Sequence, residues 1–144
     1  MKTYEIEIEI NAPIALVWHI LTQDLPKSPT PFGILRFEGA IEQGAKIKLW
    51  SEVSPNRAFA LRVDRLQAPN TMVWRGGMPL GLFTGVRTFT LTSTPSGCLF
   101  HMREVFSGLL SGLITKSMPD LTPSFTKFGE IVSKLIVVFL LATK

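Results

Sequence analysis

From Tyr4 to Ile10 the chain alternates without a break, with Tyr4, Ile6, Ile8 and Ile10 on one side and Glu5, Glu7 and Glu9 on the other. A period of two marks a strand with one face buried and one in water. The alternation stops at Asn11-Ala12-Pro13, where a capping side chain and a proline suited to a first helical turn open a segment carrying Leu16, Val17, Ile20 and Leu21. A short helix is expected there. Between Leu25 and Gly33, three prolines (Pro26, Pro29, Pro31) remove backbone donors and fix φ, which predicts a short, irregular connection. Short β candidates follow at Leu35 to Glu38, Ala45 to Val53, Phe59 to Leu66 and Thr71 to Arg75, separated by Gly, Pro and Asn, and read as an antiparallel meander.

The two clearest strands are Thr84 to Ser93 and Cys98 to Phe106, joined by Thr94-Pro95-Ser96-Gly97, a sequence of hairpin-turn composition. A four-residue loop pairs Ser93 with Cys98 and Leu91 with Phe100. It then sets Phe89 opposite Met102, Arg87 opposite Glu104 and Gly85 opposite Phe106, all on one face because directly paired residues share a face. That face is apolar except for one ion pair. Thr84, Thr88, Thr90, Thr92, His101 and Arg103 occupy the other, as solvent exposure would select. After Pro119 and Pro123, the residues Phe125, Phe128, Val132, Leu135, Ile136 and Phe139 recur at helical spacing, which predicts a long terminal helix from about Ser124 with an apolar stripe turned inward.

The chain has 144 residues, 46% hydrophobic and 18% charged, so one domain spanning residues 1–144 is expected, apolar for a soluble protein and far from the disordered class. Fifteen Lys and Arg against eleven Asp and Glu give only +4, with no block of five like charges, so nucleic acid is not implied. The run from Leu135 to Ala142 is much shorter than the ~20 apolar residues of a spanning helix. A lone Cys98 forms no internal disulfide, and no basic and apolar leader precedes the first strand, which makes the cytoplasm the expected compartment.

Two His and one Cys, without HExxH or CxxC, are a poor inventory for a zinc site, and no cofactor is expected. Residues 76–81 lack the Lys and Ser or Thr of a phosphate loop, and GxGxxG and GxSxG are absent. Cys98 at the start of a strand reads as a small core residue, and His19 beside Trp18 as a surface or locally bonded histidine. His101 and Arg103 would meet the glutamates of the first strand if the first and last strands pair.

The order strand, helix, six strands and long terminal helix matches an α+β helix-grip arrangement, in which a curved antiparallel sheet wraps around the last helix. Several short segments carry a resemblance to the SRPBCC superfamily (START-like and polyketide cyclase proteins). They are Ile10-Asn11-Ala12-Pro13 before Val17-Trp18, Trp74-Arg75-Gly76, Phe83-Thr84-Gly85, Gly97 before Arg103-Glu104-Val105-Phe106-Ser107-Gly108, and Pro119-Asp120-Leu121 before Phe125. The resemblance covers nearly the full length and implies an internal cavity; the family includes lipid carriers, polyketide cyclases, hormone-binding proteins and chaperone activators. The stiff proline-rich segment after Asp24 and the uniformly apolar ending 135–142 depart from the family pattern.

On this reading a small lipid, aromatic or polyketide-like molecule lies against Trp74, Phe83, Phe89, Phe100, Met102, Phe125 and Phe128, with Arg87 and Glu104 holding its polar end. The plainer alternative is that Arg87 and Glu104 only neutralise each other and that the aromatics are core. An enzyme of the cyclase or dehydrase type would use Arg87 to polarise an oxygen and Glu104 to move a proton. An interaction module would use the apolar tail or the face of Lys46, Lys48 and Trp50. Val137, Val138 and Leu141 cannot all share the buried face of the last helix, so a homodimer through that tail is the simplest expected partner.

Overall fold

The alternating segment is strand β1 (Lys2–Ile10) of the computed structural model. The structure describes residues 1–142, with the side chains of Phe139, Leu141 and Ala142 outside the described set. Helix α1 (Ile14–His19) follows and runs directly into a wider π-type turn (Ile20–Asp24) and a single helical turn, α2 (Leu25–Lys27). Pro13, not Asn11, occupies the capping position, and no side chain caps this helix. The reason is positional: the Pro13 carbonyl accepts from the amides of Leu16 and Val17 at 3.0 and 3.3 Å, and Asn11 lies two residues before it. The prolines beyond α2 permit only a 3₁₀ turn (Thr30–Phe32), which buries Phe32.

The remaining strands are β2 (Ile34–Glu38), β3 (Lys46–Ser51), β4 (Ser54–Gln67), β5 (Thr71–Met78), β6 (Phe83–Thr94) and β7 (Gly97–Ser107). All seven form one antiparallel sheet in the order β1-β7-β6-β5-β4-β3-β2, a meander with the first strand added beside the last. Strand β4 starts earlier than its apolar pattern suggests, because it continues as a hairpin from β3 across an irregularity at Trp50 and Ser51. A short helix, α3 (Ser111–Ser117), precedes α4 (Thr122–Ala142). Asp120 opens α4 by accepting the Thr122 amide at 3.0 Å, which holds its carboxyl below the ordinary range.

The β6–β7 turn is tighter than a four-residue loop: Thr94 pairs with Gly97, leaving Pro95 and Ser96 as the turn. Every pair below it is unchanged, since one further rung leaves the register of the ladder as it was: Ser93–Cys98, Leu91–Phe100, Phe89–Met102, Arg87–Glu104 and Gly85–Phe106. The turn is clasped to β1 by Glu9, which accepts from the hydroxyls of Thr94 and Ser96 at 2.5 and 2.7 Å and whose carboxyl is thereby lowered from its usual range. On the outer face Glu5 lies 3.0 Å from His101 and 3.8 Å from Arg103, so the first and last strands are joined by charge as well as by backbone. His19 lies at the surface, 3.5 Å from Asp24.

The inner face is covered by α4, whose Phe125, Phe128, Val132 and Ile136 are buried. Gly129 brings that helix close to β1, for a Cβ there would lie 2.7 Å from the Ile6 methyl. Cys98 is fully buried in the same core, and burial raises its thiol pKa. Val137 and Val138 stay exposed at 55% and 60%, while the expected stripe position Phe139 and the tail position Leu141 fall outside the described side chains. Among the described residues no helix is long and apolar enough to cross a membrane.

Gly97 has φ +151, and a Cβ on it would stand 2.3 Å from the Ile10 carbonyl oxygen. Gly97→Ala is therefore expected to lower stability by about 1–3 kcal/mol from backbone strain alone, and by more from the clash. Urea unfolding of the variant should show a reduced midpoint; an unchanged midpoint would contradict the tight junction between the hairpin and β1.

Candidate functional site

Because β6 and β7 are paired as described, alternate residues of the whole sheet line up in rows across its inner face. One row reads Val63, Trp74, Arg87, Glu104, Tyr4 from β4 to β1. Two charges thus sit in the middle of an apolar row, between a tryptophan and a tyrosine. The Arg87 Nε donates to Glu104 Oε1 at 2.7 Å, and the two side chains are 24% and 13% exposed. From above, the Phe125 ring of α4 covers the guanidinium at 4.8 Å. A cation over an aromatic face is favourable by ~0.5–2 kcal/mol, which offsets part of the cost of taking the charge out of water.

The next row toward the open end reads Leu61, Gly76, Gly85, Phe106. Neither glycine fills the space above it; the Phe106 ring leans over Gly85, with its nearest carbon 3.1 Å from where a Cβ would be, and the Leu61 side chain lies over Gly76. Phe83 stacks on Phe106 with ring centres 5.6 Å apart, and Tyr4 meets Phe106 edge-on at 6.3 Å. The ion pair is accordingly ringed by Trp74, Tyr4, Phe125 and Phe106. Beyond it, the β5–β6 loop and the segment before α3 are tied together by the Leu109 and Leu110 amides, which donate to the carbonyls of Gly81 and Leu82. This end carries Leu80 and Leu109, 92% and 84% exposed.

Toward the other end the interior is closed. Trp74, Phe89, Phe100, Met102, Phe125 and Phe128 are at most 3% exposed, and four of the rings form a chain of contacts: Trp74–Phe89 at 4.8 Å, Phe89–Phe128 at 6.1 Å and Phe100–Phe128 at 6.2 Å between centres. The structure therefore brings together all the expected lining residues except Phe83, which stands apart with Phe106 at the open end. Tyr4 and Phe106 complete the surround of the ion pair, and Phe32 and Phe37 pack against Phe128 and Trp74 at 5.4 and 6.1 Å. Phe106 was readable from the Gly85 pairing in the hairpin. Tyr4 needed the β1–β7 register and Phe32 an irregular segment, neither of which a local pattern supplies.

Hydrogen-bond capacity at the site is unbalanced. Among the described residues Glu104 is the single acceptor for the guanidinium, which leaves its two terminal NH₂ groups without a protein partner. The Trp74 indole N–H is buried and also has no acceptor among them. Two surface grooves lie elsewhere. One, of about 540 Å³, runs across β2 to β5 and is lined by Glu38, Lys46, Lys48, Leu61, Arg62 and Arg75. The other, of about 400 Å³, lies between the proline-rich segment and α4 at Phe32, Leu135 and Val138. Among the described residues no three His, Cys, Asp or Glu gather where a metal could bind.

With sheet and helix in place, the architecture has a name. The chain has the helix-grip fold. Among solved structures, the protein MLL2253 of Mesorhizobium loti superposes with a TM-score of 0.73 at 18% identity, over 94% of this chain and 96% of its own. DynU16, a protein of the dynemicin biosynthetic locus, superposes with a TM-score of 0.69 at 14% identity, over 93% of this chain and 46% of its own. CalU16 of Micromonospora echinospora gives 0.61 at 14% identity, over 94% and 78%. No family model matches the sequence, and no curated protein matches it. At these identities the likeness is one of helix-grip architecture, and the chemistry rests on the side chains described above.

The Arg87 and Glu104 side chains are 24% and 13% exposed, so Arg87→Met alone strands a partly desolvated carboxylate and is expected to cost about 1–3 kcal/mol, below the range for a fully buried pair. Arg87→Met combined with Glu104→Leu removes both charges and should recover most of that loss. Chemical unfolding of the single and double variants measures the difference; a double variant no more stable than the single one would mean that the pair is held by something other than mutual neutralisation.

Proposed function

We propose that the protein binds a small apolar or amphipathic molecule, of the lipid, aromatic or polyketide-like kind, between the sheet and α4. The polar end would lie at Arg87 and Glu104, and the body against Trp74, Phe89, Phe100, Met102, Phe125 and Phe128, with Phe83 at the lip. The observation that carries this reading is the charged pair on the inner face, partly open to water, with hydrogen-bond donors that no residue uses. The Trp74 indole N–H beside the pair is buried without an acceptor among the described residues, whereas buried donors in folded proteins nearly always have partners. The helix-grip likeness to DynU16 and CalU16 agrees with a fold suited to enclosing a ligand. Because the inner rings now touch, uptake requires α4 or the Leu80–Leu109 end to move outward.

Titration with a fluorescent fatty-acid methyl ester, as the amphipathic probe, and with a neutral aromatic probe is expected to give saturable binding, and native mass spectrometry of the purified protein a retained small molecule. The Arg87→Met/Glu104→Leu double variant should bind the amphipathic probe about tenfold more weakly, as loss of a charge-assisted contact predicts. Absence of saturable binding by any probe would overturn the proposal. An enzyme of the cyclase or dehydrase type would instead show turnover that Glu104→Gln abolishes.

A second proposal concerns the far end of α4, where Val137 and Val138 are left in water beside the 400 Å³ groove that Val138 lines. At 55% and 60% exposure the two side chains each forgo roughly half of the ~1.5–3 kcal/mol that full burial gives, an incentive for a second copy to cover them about a two-fold axis. Sedimentation at micromolar concentration should show a dimer that Val137→Lys/Val138→Lys disperses; a wild-type monomer would refute it.

A further inference from the structure

We infer that the Trp74 indole N–H is a ligand-binding donor, and that the molecule held beneath α4 is a neutral, largely apolar carbonyl compound; this rests on the binding reading above. Trp74 is 2% exposed, and its Nε1 is buried without an acceptor. Packing alone does not explain an indole here. The ring sits among Phe37 and Phe89, at 6.1 and 4.8 Å, where a purely apolar side chain would leave no donor stranded. Its position is equally specific, because Trp74 is the direct cross-strand partner of Arg87, so the two Cβ atoms stand roughly 4.5–5.5 Å apart. One ligand oxygen, with two lone pairs, can accept from the indole and from a terminal NH₂ of Arg87 together.

The same inventory narrows the ligand. Donors exceed acceptors: the indole N–H and the four N–H of the two guanidinium NH₂ groups stand against the three lone pairs that the Glu104 carboxylate has left after accepting from Arg87 Nε. An amine or ammonium would add donors and leave the excess as it is. A hydrocarbon would supply no acceptor. A carboxylate would supply acceptors but bring a charge into a site where Arg87 and Glu104 already cancel, and an uncompensated charge is costly there. A carbonyl oxygen on an otherwise apolar frame meets the requirement.

Fluorenone and fluorene test this directly, since they share a flat tricyclic shape and differ at the carbonyl. Affinities for both are measured with the full chain and with Trp74→Phe, and the ketone-to-hydrocarbon ratio is compared between the two proteins, which cancels the difference in water solubility. The ratio should fall about three- to tenfold in Trp74→Phe while fluorene affinity holds, as loss of one neutral hydrogen bond predicts. An unchanged ratio overturns the inference and leaves the binding reading standing. Binding of neither compound by the wild-type chain overturns the binding reading, and the inference with it. A readout independent of the variant's folding is the infrared carbonyl stretch of fluorenone bound to the wild-type protein. It should lie below its value in an apolar solvent, and a stretch at the apolar value would show that no donor reaches the oxygen.

Discussion

Everything in this structure depends on one covering relation: the inner face of a seven-stranded sheet must be removed from water, and the apolar stripe of α4 covers it. Phe125, Phe128, Val132 and Ile136 do so from the helix, and Phe89, Phe100 and Met102 answer from the sheet. Full burial of each large side chain contributes on the order of 1.5–3 kcal/mol, so the contact between helix and sheet outweighs any single polar interaction in the molecule. Two local features make it possible. Gly129 lets the helix approach β1, and the tight Pro95-Ser96 turn fixes which residues of β6 and β7 face inward. A slip of one residue in that hairpin would put Phe89 and Met102 on opposite faces, so that keeping Phe89 beneath the helix would send Met102 to solvent and bring His101 and Arg103 inward.

Against that apolar requirement, the Arg87–Glu104 pair is an expense. A hydrophobic pair of similar volume would generally leave a buried site as stable or more so. The fold accommodates the charges by placing them one row from the open end, under the Phe125 ring, and beside two glycines whose missing side chains give Phe106 and Leu61 room to lean in. What the arrangement achieves is an orientation. One end of the inner face offers directed donors, and the rest offers rings, which is the asymmetry that an amphipathic guest requires.

The parts of the fold that could be read in advance are those governed by local periodicity. Tyr4 to Ile10 declared its inner face by alternation, and the hairpin register followed from turn composition even though the turn proved tighter, because the extra Thr94–Gly97 rung leaves the pairs beneath it in place. The start of α1 misled because Asn11 has a capping side chain but sits outside the position where the helix begins, which Pro13 takes. Helix α3 was hidden by its shortness and by a composition without strong apolar period. At the site, Arg87, Glu104 and most of the aromatic wall were visible as one face of a hairpin. Tyr4 and Phe32 were not, since they arrive through β1–β7 pairing and a proline-bound turn, and such contacts between distant segments leave no trace in spacing.

The closed aromatic interior and the unused donors pull in opposite directions, and the tension between them says how such a site would operate. Trp74, Phe89, Phe100 and Phe128 satisfy one another's apolar surface, so an empty protein is well packed where a guest's body would lie. The indole of Trp74 and the terminal nitrogens of Arg87 are satisfied only by something that comes from outside the described residues. A guest therefore displaces ring contacts that are non-directional and can be re-formed against its own surface, while it supplies a directional acceptor that the buried Trp74 indole lacks among the described residues. The apolar part of the exchange is close to neutral, because one apolar surface replaces another. Selectivity must then reside in the polar end, where a guest without an acceptor would separate the rings and leave the donors as they were.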